Sequence, residues 1–416
     1  MGEVFTYIAT AAAPVLVGRL WARASKSSES ATFLYDESWL GDAERFALEP
    51  ALSVGPGPQH TRSGKSLFGA IGDSAPDRWG RALMNRAEQR SAKTENRAPR
   101  TLREIDFLLG VSDESRQGAL RFSLTQGGPF LAEPGPNNVP PLVDLPRLLA
   151  ATERVLDDNE DASDLRLLLA PGASLGGARP KASVRDSDGT LAIAKFSTSH
   201  DEYNVALTEG VALSLAGRAG IVVPEWRTES VGESTALIVR RFDRVGERRV
   251  PFLSAMSMLG AIDGEQRSYL EIVDALSEHG SAPVDDRRQL WKRVVFTVLV
   301  SNVDDHLRNH AFLHESTAGW RLSPAFDINP TPTFVRARVL ATAIDESDTA
   351  ASVDTCLSVA DYAGLDTNSA RAIVREIAAV TKGWREEARR IGLVRRDIDR
   401  LESAFEHDDM RIALSL

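Results

Sequence analysis

Apolar and polar positions alternate along the first 125 residues in a way that predicts strands separated by polar turns. Strands are predicted at 14–22, 31–35 and 118–123, where apolar side chains recur at every second position. One helix is predicted to begin at Asp73, with a capping side chain followed by proline in the first turn, and another to cover 101–111. We interpret this part of the chain as one α+β unit.

The next stretch begins with residues 127–141, which are rich in Gly, Pro and Asn and form the best candidate linker. A hairpin is predicted where 181–184 and 191–196 flank the turn signal Asp186-Ser-Asp-Gly-Thr190. The other predicted elements here are helices at 144–156 and 165–170, a helix at 208–220 opened by Thr208-Glu209, a strand starting at 222 and a buried strand at 236–244.

After residue 245 the hydrophobic period becomes mainly helical. Helices are predicted at 268–279, 285–301, 369–384 and 397–407. The helix at 285–301 carries a long apolar stripe of Leu290, Trp291, Val294, Val295, Val298 and Leu299. It leads directly into a polar loop at 302–309, which is followed by a predicted hairpin of 310–314 and 319–323.

Composition limits the class of protein without naming it. The 416 residues suffice for two or three domains, and 43% hydrophobic with 26% charged residues is ordinary for a soluble globular protein. The single cysteine, Cys356, excludes an intramolecular disulfide, and no signal peptide or membrane span is predicted, so we expect a cytoplasmic protein. A net charge of −10 disfavours non-specific DNA binding, because an acidic chain releases no counterions from the phosphates.

The polar loop carries the candidate chemistry. Asp304 and Asn309 are five residues apart, which is the spacing between the base and the metal-binding asparagine in protein-kinase catalytic loops. A second carboxylate, Asp327, returns after the predicted hairpin. Because Mg²⁺ prefers hard oxygen ligands, Asn309 and Asp327 are predicted to bind it, which leaves Asp304 as the general base. The sequence therefore predicts phosphoryl transfer.

Three upstream features could contact phosphates or support that contact. The glycine-rich stretch 172–181 could turn backbone N–H groups toward an anion, although its glycines fit a flexible turn equally well. Lys195 shares an apolar strand face and would need an anion there, unless its ammonium reaches water at the strand end. Glu209 could pair with Lys195, as in kinases, or act as a surface cap near the helix start.

Two other functions remain open on these residues. If the loop were helical, His306 and His310 would share one face and could hold zinc for a metal-dependent hydrolase, though a bracing role for a loop histidine is commoner. The chain could also be a kinase-like scaffold that acts as a binding partner or co-repressor. The presence of Asp304, Asn309 and Asp327 together disfavours that scaffold hypothesis.

The motifs resemble those of the HipA-family toxin kinases, the kinase half of HipA/HipB-type toxin–antitoxin pairs. The similar segments are the catalytic loop Asn302-Val-Asp-Asp-His-Leu-Arg-Asn309, the metal-binding segment Ser323-Pro-Ala-Phe-Asp327, the phosphate loop Ser174-Leu-Gly-Gly-Ala-Arg-Pro-Lys181 and the hinge Arg240-Arg-Phe-Asp-Arg244. Val17-Gly-Arg-Leu20, Trp39-Leu40, 68–73 and Gly118-Ala-Leu-Arg121 are similar to the family's N-terminal subdomain. The resemblance covers nearly the whole chain.

This resemblance implies a two-lobed, protein-kinase-like α/β fold that uses ATP and Mg²⁺ to phosphorylate serine or threonine. The implied domains are an N-terminal subdomain (1–125), a kinase N-lobe (126–243) and a helical C-lobe (244–416). Asp304, Asn309, Asp327 and Lys195 would be catalytic, with Asn309 and Asp327 as metal ligands. The implied nucleotide contacts also include Ser174, Gly176, Gly177, Ala178, Arg179, Lys181, Glu209, Arg240, Phe242, His306 and Arg308.

The resemblance also implies a regulatory site and partners. Ser174 would be autophosphorylated, which in the family expels the phosphate loop and prevents ATP binding. The phosphate on Ser174 and the phosphates of ATP are both strongly negative, so they cannot occupy the same anion-binding loop. The substrate would be a protein, an aminoacyl-tRNA synthetase being the family's known type. A small helix-turn-helix antitoxin would carry the DNA contact, so that this chain meets DNA only indirectly and no membrane is involved.

Overall fold

The computed structural model describes residues 2–11, 13–25, 28–131, 139–169, 179–232 and 234–416. The strands are β1 (Val4–Ile8), β2 (Val15–Ala24), β3 (Glu29–Tyr35), β4 (Gln59–His60), β5 (Leu120–Ser123), β6 (Lys181–Arg185), β7 (Leu191–Phe196), β8 (Trp226–Val231), β9 (Ser234–Arg240), β10 (Arg244–Val245), β11 (Arg248–Arg249), β12 (Phe252–Ser254), β13 (Ala311–Ser316) and β14 (Gly319–Leu322). The helices are α1 (Glu37–Leu40), α2 (Gly69–Gly72), α3 (Arg78–Thr94), α4 (Glu104–Gly110), α5 (Leu145–Leu156), α6 (Ala162–Leu169), α7 (Val205–Arg218), α8 (Ala255–Met258), α9 (Tyr269–His279), α10 (Pro283–Leu299), α11 (Val353–Ser358), α12 (Thr367–Thr381), α13 (Trp384–Ile391), α14 (Arg395–Phe405) and α15 (Asp408–Ser415).

The chain forms two compact units. The first comprises Met1–Lys195, Arg240–Ile262 and Leu313–Thr317, and the second comprises Phe196–Val239, Asp263–Phe312 and Ala318–Leu416. The candidate catalytic loop and Asp327 both belong to the second unit. The domain boundaries predicted after residues 125 and 243 stay predictions.

The first unit is built on an antiparallel sheet with the strand order β4-β3-β2-β1-β5. Strand β1 was not among the predicted strands. All five of its residues, Val4–Ile8, are buried, so it lacks the apolar–polar alternation by which a half-exposed strand is recognised. Leu20 and Phe33 are completely buried in the core below this sheet.

The predicted hairpin at 181–196 is present in the first unit as β6 and β7. Its register places Lys181 directly opposite Lys195, so the two side chains lie on the same face. Gly189 adopts a φ of 84° in the turn, a conformation that glycine reaches without steric cost.

Helix α10 is the buried helix of the second unit and packs against α9 and α12. It begins with Pro283 in its first turn, where the missing N–H costs nothing, and Asp285 and Asp286 favour the positive end of the helix dipole. The whole predicted stripe is buried: Leu290, Trp291, Val294, Val295, Val298 and Leu299. Burial of this stripe holds the end of α10, and therefore the loop that follows it, in one place.

Two helices begin later or earlier than predicted, because another side chain provides the cap. Helix α3 starts at Arg78 rather than near Asp73, since Asp77 Oδ1 accepts from the Gly80 N–H at 2.9 Å. The Asp73 carboxylate instead accepts from Ser254 N at 2.7 Å. Helix α7 starts at Val205 under an Asn204 cap, so Glu209 lies in its second turn and is buried.

Two other predicted elements differ from those in the structure. The strand predicted from residue 222 starts only at Trp226, since Val222 donates to Gln289 Oε1 at 3.1 Å and accepts from Ala325 N at 2.8 Å. The single helix predicted at 369–384 is two, because α12 ends at Thr381 and a break at Gly383 precedes α13. Within the described residues, no helix has the length and apolar character needed to cross a membrane.

Candidate active site

The candidate catalytic loop begins where α10 ends. Ser301, the first residue beyond the helix cap, has a φ of +52°, a left-handed conformation that is uncommon for residues other than glycine. Its carbonyl accepts from Thr331 N at 3.1 Å and its hydroxyl accepts from Arg338 Nε at 3.1 Å, which supports this uncommon conformation from the segment after Asp327. Asn302 N then donates to Thr297 O at 2.9 Å, so the loop folds back against the helix that delivers it.

Asp304 lies at the solvent-facing side of the loop. Its side chain is 67% exposed, and its Oδ1 is 3.1 Å from Arg336 Nη1. An exposed ion pair of this kind contributes about 0.2–1 kcal/mol. The carboxylate is therefore accessible to another molecule and can exchange Arg336 for a new partner at small cost.

The neighbouring Asp305 is buried and anchors the loop. Its Oδ2 accepts from Tyr269 Oη at 2.6 Å, from His310 Nε2 at 3.1 Å and from Thr297 Oγ1 at 3.3 Å. Desolvation by burial opposes the charged form, but the interactions with the His310 ring and the hydrogen bond from Tyr269 outweigh it, so the pKa of Asp305 lies below its usual value. Asp305 thus joins α9, α10 and the start of β13 at one buried point.

Asn309 ends the loop with an unsatisfied oxygen. Its Nδ2 donates to Asp304 O at 3.3 Å, which orients the carboxamide toward the loop. Its side chain is buried, yet Oδ1 has no hydrogen-bond partner among the described residues. A buried acceptor without a partner is costly, which marks Oδ1 as a position that an added ligand would satisfy.

Asp327 lies on a segment that is hydrogen-bonded to the same loop. Its φ is +58°, a left-handed conformation that aspartate tolerates better than most residues. Asn329 Nδ2 donates to Asp327 O at 3.2 Å and to Oδ1 at 3.3 Å, while Asn329 N donates to Asn302 Oδ1 at 3.0 Å. The two predicted metal-binding segments, which the hairpin of β13 and β14 separates in sequence, are therefore joined by direct contacts in the second unit.

Three other predicted nucleotide contacts lie in the second unit. Arg308 forms a two-pronged ion pair with Asp263. His306 has a buried Nδ1 that lacks a hydrogen-bond partner within the described ranges. Glu209 is only 3% exposed, so the alternative of a surface cap is wrong, while the predicted pair with Lys195 stays a prediction.

The predicted contacts of the first unit differ in their surroundings. Lys181 Nζ lies 2.7 Å from Asp77 Oδ2 and both side chains are 4% exposed, so its charge is neutralised within the unit. Lys195 is partly exposed on β7. Arg240 is exposed and lies 3.7 Å from Asp188 Oδ2, and the ring of partly buried Phe242 lies 6.5 Å from that of Phe252.

The remaining nucleotide contacts concern the glycine-rich stretch. Arg179 is described and exposed. Ser174, Gly176, Gly177 and Ala178 lie outside the described residues. Their predicted roles stay predictions.

The loop lacks the helical geometry that the zinc alternative requires. Leu307–Asn309 form a single 3₁₀ turn and His310 is extended, with φ of −115°. His310 is engaged by Asp305 through Nε2. In the described part of the chain, no group of three or more His, Cys, Asp or Glu residues is arranged for a metal ion.

Four residues at this site were missed from the sequence: Tyr269, Arg293, Arg336 and Thr342. Thr342 Oγ1 donates to Asp305 O at 2.7 Å from a segment without regular structure, which left no pattern to detect. Arg293 could have been found, because a charged residue adjoining the apolar stripe of α10 is unusual. Tyr269 and Arg336 reach the loop only through tertiary contacts.

Comparison with other proteins shows one family and a fold. The family described as "HipA-like C-terminal domain" matches residues 173–384, just over half of the chain. A Haemophilus influenzae protein named "Putative kinase" is 24% identical over 162 residues, which are 34% of this chain and 47% of that protein. The chain thus spans about half the length of that relative.

Among solved structures, a chain from the Shewanella oneidensis MR-1 toxin–antitoxin complex of HipA, HipB and operator DNA covers 99% of this chain and 96% of its own length, with 15% identity and a TM-score of 0.66. The Helicobacter pylori proinflammatory kinase CtkA covers 58% of this chain and 93% of its own, with 17% identity and a TM-score of 0.39. The Shewanella match confirms the predicted kinase-like α/β fold class. On the strength of the match over residues 173–384, the chain belongs to the family of the HipA-like C-terminal domain.

Proposed function

We propose that this protein is an ATP-dependent serine/threonine protein kinase and the toxin of a toxin–antitoxin pair. The observation that carries the proposal is the contact between the loop ending at Asn309 and the segment holding Asp327, made by Asn302 and Asn329. A kinase requires its asparagine and its metal-binding aspartate on adjoining segments. The name of the Haemophilus influenzae relative agrees with this reaction class.

The donor set fits Mg²⁺. Asn309 Oδ1 is buried without a partner in the described residues, and a hard cation beside it would remove that cost. Asp327 would supply the second oxygen ligand. When bound, the metal neutralises charge on the phosphates. Nucleotide-phosphate contact by Lys195 belongs to the same proposal and rests on the kinase pattern of the sequence.

Asp304 would act as the general base. Its accessible carboxylate accepts the proton of the attacking serine or threonine hydroxyl, while Asn309, through its bond to Asp304 O, keeps the base and the metal ligand in register. Buried Asp305 holds the loop from the other side. The exposed neighbour Arg336 holds Asp304 until the substrate hydroxyl takes its place.

The decisive experiment replaces Asp304 by Asn, which keeps the shape and removes the base. Because a general base contributes about 10²–10⁴-fold, transfer of the γ-phosphoryl group from radiolabelled Mg-ATP should fall by that factor. ATP binding, measured by calorimetry, should stay near the wild-type value. Asp274→Asn, which removes an exposed carboxylate on α9, is the matched control and should transfer normally.

Two results would contradict the assignment of Asp304. One is a variant that loses ATP binding together with activity, since the base does not hold the nucleotide. The other is a variant with wild-type transfer. The scaffold hypothesis predicts a different pattern, in which the wild type itself transfers no phosphate yet retains its binding partner.

Self-inactivation at Ser174 forms part of the proposal. A phosphate there adds nearly two negative charges to the glycine-rich stretch and would repel those of ATP. Mass spectrometry of protein incubated with Mg-ATP should find phosphate on Ser174, absent from Ser174→Ala and from Asp304→Asn. A different dominant phosphosite would refute this regulation without touching the kinase assignment.

The partner in this proposal is a small helix-turn-helix antitoxin that carries the DNA contact. The Shewanella structure contains HipA with HipB and operator DNA. The net charge of −10 is consistent with this division, because an acidic chain gains little from DNA phosphates by itself. Co-purification with the product of a neighbouring reading frame, followed by a gel-shift assay with and without it, tests the partner. DNA binding by the isolated chain would contradict it.

A further inference from the structure

A small cavity lies beneath the catalytic loop in the second unit. Its walls come from α10, the loop and the segment that leads to Asp327, and they include Arg293, Asn302, Asp305, Asn309 and His310. The space available to the centre of a water-sized probe is about 10 Å³. That volume corresponds to about one water molecule.

Arg293 is the unusual residue of this wall. The residue is only 5% exposed. Nη2 donates to Ser323 O at 2.5 Å, but Nε and Nη1 have no partner among the residues that the structure describes. Two N–H groups of a buried cation without acceptors are costly, and such donors are normally satisfied by protein or by ordered water.

The same wall offers an unsatisfied acceptor. His310 is 3% exposed and uses Nε2 to donate to Asp305, so that a neutral ring leaves Nδ1 as an acceptor. This Nδ1 has no hydrogen-bond partner in the described ranges. Donors and an acceptor thus meet at one cavity of the right size for a molecule that both donates and accepts.

The charges of the wall select a neutral occupant. Arg293 disfavours a cation in the cavity, and the nearby Asp305 disfavours an anion. Burial lowers the pKa of Arg293 to about 10, although the Asp305 and Asp286 carboxylates favour the charged guanidinium. Because Asp286 is already paired with Arg321, Asp305 is the charge that balances Arg293 here. A halide in the cavity would upset this balance, whereas water would not.

We propose that this cavity is a binding site for one internal water molecule. The water accepts a hydrogen bond from the Arg293 guanidinium and donates one to His310 Nδ1, which links α10 to the residue that holds Asp305. Arg293 is then a positioning residue for the catalytic loop, acting through the water. The proposal rests on the cavity and its polar atoms and does not depend on phosphoryl transfer.

Crystals of the full chain grown in bromide instead of chloride test the site directly. The expected result is one electron-density peak within hydrogen-bond distance of Arg293 and His310, without anomalous signal at the bromine edge. An anomalous peak there would overturn the proposal in favour of a halide site. A cavity without density, or one closed by a rotated Arg293 side chain, would also overturn it.

Variants extend the test to solution. Arg293→Met keeps the length of the side chain but removes every donor, and Arg288→Met removes an exposed arginine from the same helix. We expect Arg293→Met to lose the peak and to show faster amide hydrogen exchange at 302–310, with Arg288→Met unchanged. If Arg293→Met does not fold, Arg293→Lys, which retains one donor group, should keep the water. Unchanged exchange in a folded Arg293→Met would refute the link to the loop.

Discussion

The hydroxyl of Tyr269 is predicted to stabilise the catalytic loop more than any other single side-chain group. Tyr269→Phe removes only Oη, which donates to Asp305 Oδ2 at 2.6 Å, and leaves the shape of the ring unchanged. Both partners are buried, and burial, the Asp305 charge and this bond together raise the pKa of Tyr269 well above its usual value. The hydroxyl therefore keeps its proton, and donates it to Asp305, well above the usual titration range of tyrosine.

The magnitude follows from the type of bond. A hydrogen bond to a charged group contributes about 1.5–3 kcal/mol net, and Asp305 keeps two donors, Thr297 and His310, after the substitution. We therefore expect Tyr269→Phe to lower the free energy of unfolding by about 1.5–3 kcal/mol. Phosphoryl transfer should fall as well, because the loop holding Asp304 loses one of its anchors.

Urea unfolding followed by tryptophan fluorescence measures the loss. The control is Tyr362→Phe, since Tyr362 is 47% exposed in the same unit and should change stability by less than about 0.5 kcal/mol. The pKa of Asp305 is lowered in the folded protein, so its bonds stabilise the fold fully above the unfolded-state value of about 3.9. The Tyr269→Phe difference should then shrink as the pH falls further. Equal effects of the two substitutions would refute the anchoring role of Asp305.

Three further predictions concern other charged groups. Burial raises the pKa of Glu49 from 4.5 to about 7, although the hydrogen bond from Ala70 N opposes the rise. Because only the folded state holds the proton in this range, the free energy of unfolding of the wild type should fall by about 3 kcal/mol relative to Glu49→Gln between pH 4.5 and 8. The same pH dependence of both proteins in urea unfolding would contradict this. Arg336→Ala should change the free energy of unfolding by less than about 1 kcal/mol and the phosphoryl-transfer rate by less than about fivefold, because the ion pair between Arg336 and Asp304 is exposed. A larger effect on the rate in the kinase assay would give Arg336 a direct catalytic role. Asp243→Asn should lower the free energy of unfolding by about 3–5 kcal/mol, because it leaves the buried Arg241 without its counter-charge. A loss below about 1 kcal/mol in urea unfolding would show that the ion pair contributes little to stability.

Prediction from the sequence succeeded where a local signal is strong. The stripe of α10 was found from apolar residues at helical spacing, and the hairpin of β6 and β7 from the turn signal Asp186-Ser-Asp-Gly-Thr190 between two apolar runs. Strand β1 was missed because both its faces are buried. The start of α3 was misplaced because two aspartates could cap it, and only Asp77 reaches the Gly80 N–H.

The sequence by itself indicated the candidate catalytic groups, because Asp304 and Asn309 are five residues apart in one loop and Asp327 follows after a predicted hairpin. The resemblance of its motifs to those of the HipA family indicated the family and the fold class. Only the tertiary structure decided what holds those groups. The anchors of Asp305 come from α9, α10 and the start of β13, and Arg293 faces the loop across a cavity. Tyr269 and Asp305 are 36 residues apart, and which nearby side chains turn toward Asp305 depends on how the loop folds back against α10. Local patterns do not reveal such contacts, whereas the spacing within a short loop is a property of the sequence alone.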